Sequence, residues 1–184
     1  CSVYSDGSHR ALKVAIGTGD TSFSGAIGGS ARVKALTFTS DQLTAGAITL
    51  NGALTATLAN ASTISGVIAN GGGGTASLVK AGGGTLTLSG ANTYTGSTTI
   101  SAGLLKVLRD DPTSYLAATS GFTGPGNLTI ESAAGSFTAD IVTGTHVQLA
   151  GTALGNLIIG KAGNSSAINV NSPLVVSDDI KIYS

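Results

Sequence analysis

Hydrophobic and polar residues alternate along this chain in short runs. The clearest is Thr85-Leu86-Thr87-Leu88. Successive side chains of a strand point to opposite faces, so Leu86 and Leu88 share one face and the threonines the other. The same alternation places Leu12, Val14 and Ile16 together, then Leu36 with Phe38, Ile48 with Leu50, Leu54 with Leu58, and Leu128 with Ile130. Gly, Asn and Ser interrupt the runs and read as turns, among them Ser89-Gly90-Ala91-Asn92 and the four glycines Gly71–Gly74. No segment holds a 3.6-residue apolar period for three turns, so the pattern predicts strands without helices.

The spacing of the runs predicts how the strands are arranged. Gly84, Leu86 and Leu88 recur 19 residues later as Gly103, Leu105 and Val107. Stepping back by 19 reaches Val67 and Ala69, and by 19 again Gly46, Ile48 and Leu50. After Arg109-Asp110-Asp111-Pro112 breaks the rhythm, the face pair returns as Leu128 and Ile130, 23 residues after Leu105 and Val107. Val147 with Leu149 and then Ile168 with Val170 extend the count. A strand revisited at so short a period marks a solenoid. The expected fold is all-β, a right-handed parallel β-helix of about 19–21 residues per coil. At that length the chain makes ~9 coils, stacked into a rod roughly 40 Å long. Residues 1–32 read as a preceding coil with irregular loops, 33–108 as regular coils, 109–125 as a loop or insertion, and 126–184 as further coils.

The stretch Gly82 to Val107, GGGTLTLSGANTYTGSTTISAGLLKV, resembles the autotransporter-associated β-strand repeat of secreted bacterial passengers. The features that carry the likeness are the glycines before TLTLSG, the NTYTG turn, the TTI strand and the AGLLKV strand. The resemblance implies export across the outer membrane through a fused or partner β-barrel translocator, to the cell surface or beyond. It also implies that coils folding outside the cell help drive that export. Residues 126–184 are similar in style to filamentous-haemagglutinin-type exoproteins, a second choice of family.

Composition narrows the picture. Charged residues are 10% of the chain and aromatics 4%, with no Trp or Met, so the core must come from aliphatic residues and Thr. Net charge is zero, which leaves no electrostatic footprint for nucleic acid. Cys1 is the single cysteine, so no disulfide framework exists within the chain. Cys1 reads as an arbitrary chain cut rather than the acylated start of a lipoprotein.

No constellation of residues predicts catalysis, a metal site or a cofactor. Gly71–Gly74 lead to Thr-Ala-Ser rather than the Lys-Ser/Thr a phosphate loop needs. His9 and His146 are far apart and no spacing fits zinc. Asp110-Asp111 and Asp178-Asp179 are adjacent pairs, which a strand would point apart. Asp140, Asp178 and Lys181 form an acid/base cluster only if the coils align well, the basis for a polysaccharide-active enzyme as a minor alternative. The four Thr-x-Thr copies at 37, 55, 85 and 93 are unevenly spaced, which predicts no single row and argues against an ice-binding face. Tyr4, Tyr94, Tyr115 and Tyr183 offer sugar platforms in principle, but plugs and turn anchors fit one ring per several coils better.

The expected function is a structural or adhesive stalk segment of an autotransporter-type surface protein, without enzymatic activity. Its partners would be the translocator barrel and a surface receptor or glycan. The alternative is a subunit of a self-assembling filament or two-partner-secreted exoprotein, because an uncapped solenoid end invites head-to-tail association.

Overall fold

The computed structural model describes residues 11–29, 33–111, 121–149 and 154–184. Cys1, Tyr4, His9, Pro112 and Tyr115 lie outside the described residues. Among those described are strands and turns and no helix. The first circuit holds β1 (Ala11–Ala15) and β2 (Thr21–Phe23). The second holds β3 (Ala35–Ser40), β4 (Leu43–Ala45) and β5 (Ile48–Leu50). The third holds β6 (Ala53–Leu58), β7 (Ser62–Ile64) and β8 (Ile68–Asn70). Next come β9 (Ser77–Ala81) with β10 (Thr85–Leu88), then β11 (Thr98–Ile100) with β12 (Leu104–Leu108). The sixth circuit holds β13 (Phe122–Thr123), β14 (Asn127–Glu131) and β15 (Ile141–Val142). β16 (Leu157–Ile159), β17 (Ile168–Asn169) and β18 (Ile180–Ile182) complete the series.

These strands stack as a parallel β-solenoid of about seven turns. One wall is the six-stranded sheet β1-β3-β6-β9-β11-β13, and a second is the eight-stranded sheet β2-β4-β7-β10-β12-β14-β16-β18. Among the described residues the third side carries strands only in the pairs β5-β8 and β15-β17. Each inward side chain lies on its counterpart in the next coil. One row of the eight-stranded wall runs Leu43, Ser62, Leu86, Leu105, Leu128, Leu157 and Ile180. Its members from Leu86 to Leu157 are fully buried. A row of the six-stranded wall runs Val14, Phe38, Ala56, Lys80 and Ile100, in which the small Ala56 sits between two large neighbours. A ring pair adds Phe23 to Phe38, 5.5 Å apart and tilted by 51°.

The fold class matches the sequence expectation, but the coil count and several registers differ. There are about seven turns rather than nine, and a rod of that many coils is about 30 Å long. Coil length is not confined to 19–21 residues: Leu36 pairs with Leu54, 18 on, and Leu128 with Leu157, 29 on. Leu86 and Leu88 do pair with Leu105 and Val107, and these with Leu128 and Ile130. Backwards, the period of 19 fails. Leu86 pairs with Ser62, while Ile48 and Leu50 belong to the third side and pair with Ile68 and Asn70. The cause is corner length: twelve residues separate β7 from β9, but nine separate β10 from β11, and β9 is two residues longer than β11. Val147 and Leu149 are likewise not successors of Leu128 and Ile130. Val147 bridges to Thr143 and Leu149 to Phe122. Ile168 pairs with Ile141, and Val170 is half exposed.

Candidate functional site

The repeat-like stretch is closed by side chains that stand in for strand hydrogen bonds. After β10 the chain crosses the third side without forming a strand there. The Asn92 side-chain oxygen accepts from the Ile68 backbone N–H at 2.8 Å, and the N–H groups of Thr93 and Tyr94 donate to the Ile68 carbonyl. One coil below, the Asn70 side-chain oxygen accepts from Ala76 N at 2.8 Å and Thr95 N at 3.2 Å. Two asparagines thus do part of what a ladder would do, pairing backbone N–H groups that have no strand partner here. Tyr94 turns inward, is buried, and its hydroxyl meets the Thr98 hydroxyl at 2.6 Å. The expected plug role of Tyr94 is what the structure shows.

Glycine is required where coils touch through backbone. A Cβ on Gly90 would lie 2.1 Å from the Gly66 carbonyl oxygen. Gly103 has φ +70°, and a Cβ there would meet the Gly84 and Gly82 oxygens at 2.5 and 2.6 Å. Both positions therefore exclude a side chain, one by space alone and the other by space and backbone conformation.

Lys80 is the unexpected member of the core. It is fully buried, in the inward phase of β9 two residues after Leu78. Its ammonium donates to the carbonyls of Ala81 (2.9 Å), Gly82 (2.8 Å) and Ala102 (3.2 Å). The first two belong to one corner and the third to the corner stacked on it, so the cation clasps successive turns. Burial pushes the Lys80 amine down to about 8. The alternation Leu78-Val79-Lys80 was the available signal, because it puts a lysine on the apolar phase.

The expected candidates for chemistry are dispersed. Asp110 is a loop anchor: one carboxylate oxygen accepts from the Ser132 hydroxyl at 2.6 Å and from Ala134 N at 2.9 Å. Those bonds, Ser132 first, hold its carboxyl below the usual carboxylate range. Asp140 accepts from Ala167 N beside the β15-β17 pair, whereas Lys181 lies in β18 of the eight-stranded wall and Asp178 just before it. Asp140 is thus on a different side from Asp178 and Lys181, and the three do not form one cluster. His146 Nδ1 accepts from the Val142 backbone N–H. Among the described residues no three His, Cys, Asp or Glu side chains gather as a metal site would require. The four Thr-x-Thr copies form no single row, as expected, although two of them adjoin: Thr37 pairs with Thr55 and Thr39 with Thr57 on β3 and β6, and Thr55 next meets Val79. The 18-residue coil between them is what aligns them.

The outer face of the eight-stranded wall is concave between β12 and β18. A groove of about 320 Å³ opens there, with Leu104, Thr129 and Ile158 at its base and Asn127, Asn156, Asp179 and Lys181 around it. Thr129 projects outward between the buried Leu128 and Ile130, yet is itself 7% exposed, which marks the deepest point. Asn127 Oδ1 accepts from Asn156 N at 2.8 Å and Nδ2 at 3.0 Å, and Asn156 Oδ1 accepts from Asp179 N at 3.1 Å. One row of polar side chains therefore climbs three coils.

Residues 78–107 match the family model of the passenger-associated-transport-repeat. The match reaches back past Gly82 to Leu78, and so takes in the Lys80 clasp, Asn92, Tyr94 and Gly103. No curated protein and no solved structure matches the chain significantly. A repeat of this family suggests export to the cell surface or extracellular space. Together, the repeat at 78–107 and the solenoid that encloses it support an autotransporter-type passenger.

Proposed function

We propose that this chain is a stalk segment of an exported passenger, carried across the outer membrane by a fused or partner β-barrel, with its walls serving adhesion. The observation that carries the reading is the coincidence of the matched repeat with two consecutive coils in register, β9-β10 and β11-β12. A parallel solenoid is stiff because every coil is bonded to the next along the axis, which suits presentation away from a surface. The repeat and the structural solenoid also fit a non-enzymatic role. The test is to express the chain between a secretion signal and a translocator barrel known to display other passengers. Expected is protease-sensitive display at the cell surface. Retention in the periplasm, while a control passenger is displayed, would end the reading.

A second reading rests on the edge at β18. Ile180 and Ile182 stack on Leu157 and Ile159 but remain 41% and 38% exposed. An open parallel edge with apolar inward residues accepts another strand. End-to-end association of coils, within a longer polypeptide or between copies, is the function this edge supports. Light scattering that grows with concentration in the isolated chain, and is abolished by Ile180→Lys with Ile182→Lys, is the expected result for association between copies.

A further inference from the structure

The geometry points to the groove between β12 and β18 as a binding site for a neutral polysaccharide chain. The proposal deepens the adhesive reading above and rests on it only for where the sugar is met. Leu104, Asn127, Asn156 and Asp179 lie in line on four successive coils, the first two opening β12 and β14 and the last two immediately preceding β16 and β18. Coils rise by ~4.8 Å, so that row spans about 14 Å, the reach of a linear oligomer rather than of one small molecule.

The chemistry of the row suits hydroxyl groups. Asn127 Oδ1 and Asn156 Oδ1 are engaged by the backbone of the neighbouring coil, which leaves the Asn127 amide hydrogens as donors towards the groove. Asp179 is exposed and supplies an acceptor at the far end of the row. A sugar hydroxyl both donates and accepts, and so satisfies either end. Leu104 and Ile158 give an apolar floor for the C–H face of a pyranose ring, the mixed lining typical of ligand sites. One carboxylate and one ammonium, Asp179 and Lys181, leave the groove without net charge, which favours a neutral polymer over an acidic one.

The test is native affinity electrophoresis of the whole chain through gels containing dextran, mannan, β-glucan or galactan, with polygalacturonate as the acidic comparison. Expected is retardation by at least one neutral polymer. Asp179→Ala should weaken it by about tenfold, the loss of one or two hydrogen bonds. Ile158→Glu, which places a charge on the floor, should abolish it. Both positions are partly or fully exposed, and an unchanged melting curve confirms the fold of each variant. No retardation by any neutral polymer, retardation by polygalacturonate alone, or retardation unchanged in both variants would overturn the assignment. Each of those results leaves surface display, measured separately, untouched.

Discussion

The coils of the matched repeat and the coils that follow β14 solve the same stacking problem differently. Between Leu86 and Leu105 the circuit takes 19 residues, and Asn92, Tyr94, Gly103 and the Lys80 ammonium seal its corners. Between Leu128 and Leu157 it takes 29. The extra length forms loops tied by Asp110, Asn164 and Thr143, which bond to backbone groups of neighbouring loops. The inward rows of the eight-stranded wall continue through both regions, so the difference lies wholly at the corners. Tight corners give a compact repeat whose last strand, β12, contributes only Leu104 to the groove. The long-coil region carries the groove. In this molecule, the region legible as a family repeat is the scaffold, and the less regular region carries the candidate contact surface.

That contrast breaks first at the core. Leu105 is fully buried between Leu86 and Leu128, whereas Ile180 holds the same row at the open edge and is 41% exposed. Leu105→Ala is expected to cost about 2–5 kcal/mol, as in other tightly packed cores. Ile180→Ala should cost clearly less, and denaturant titration of the two variants checks the ordering. Equal losses would show that the long coils are as tightly sealed at β18 as the repeat is at its centre.

A smaller effect is expected at Gly103. Gly103→Ala adds a Cβ at positive φ and against two carbonyl oxygens, with an expected loss of about 1–3 kcal/mol. For a chain of this size that lowers the melting temperature by roughly 2–12 °C. Gly163→Ala is the control in the long coils: it too has positive φ, but a Cβ there meets nothing within 4 Å, and the drop should be smaller.

The effect at Lys80 is the most specific, because it depends on pH. Lys80 binds its proton less tightly folded, near 8, than at its ordinary value of 10.5. Between those values the unfolded chain holds more protons, so raising the pH favours the folded state. The gain is complete above about 10.5 and is lost as pH falls through about 8. Thermal melts of wild type and Lys80→Met across that window should diverge, with the rise absent from the variant.

The sequence disclosed strand alternation and the class of solenoid, because inward leucines and outward threonines obey a period of two whatever the corners do. Leu86 could be matched to Leu105 and Leu128 for the same reason. It could not be matched to Ser62, a buried polar residue in an otherwise aliphatic row. There the Ser62 hydroxyl accepts from Leu43 N at 2.9 Å and donates to the Asn60 carbonyl at 3.3 Å. Lys80 hid for a similar reason, since its ammonium is solvated by backbone carbonyls that no residue pattern displays. The groove was illegible because it depends on the register of strands 23 to 29 residues apart, and on an outward Thr129 shorter than its neighbours. Asp179 and Lys181 are both in the chain's charge inventory, but only the pairing of β16 with β18 puts them beside Asn156 and Ile158.

The third side has a mechanical consequence. The eight-stranded wall runs through to β18 and the six-stranded wall as far as β13, while among the described residues the remaining side has strands only in β5-β8 and β15-β17, with the asparagine-held crossing of Gly90–Gly96 between them. A beam yields most readily towards the side with the fewest strand-to-strand bonds. Under load the solenoid should therefore flex towards its third side, where side chains replace part of the ladder.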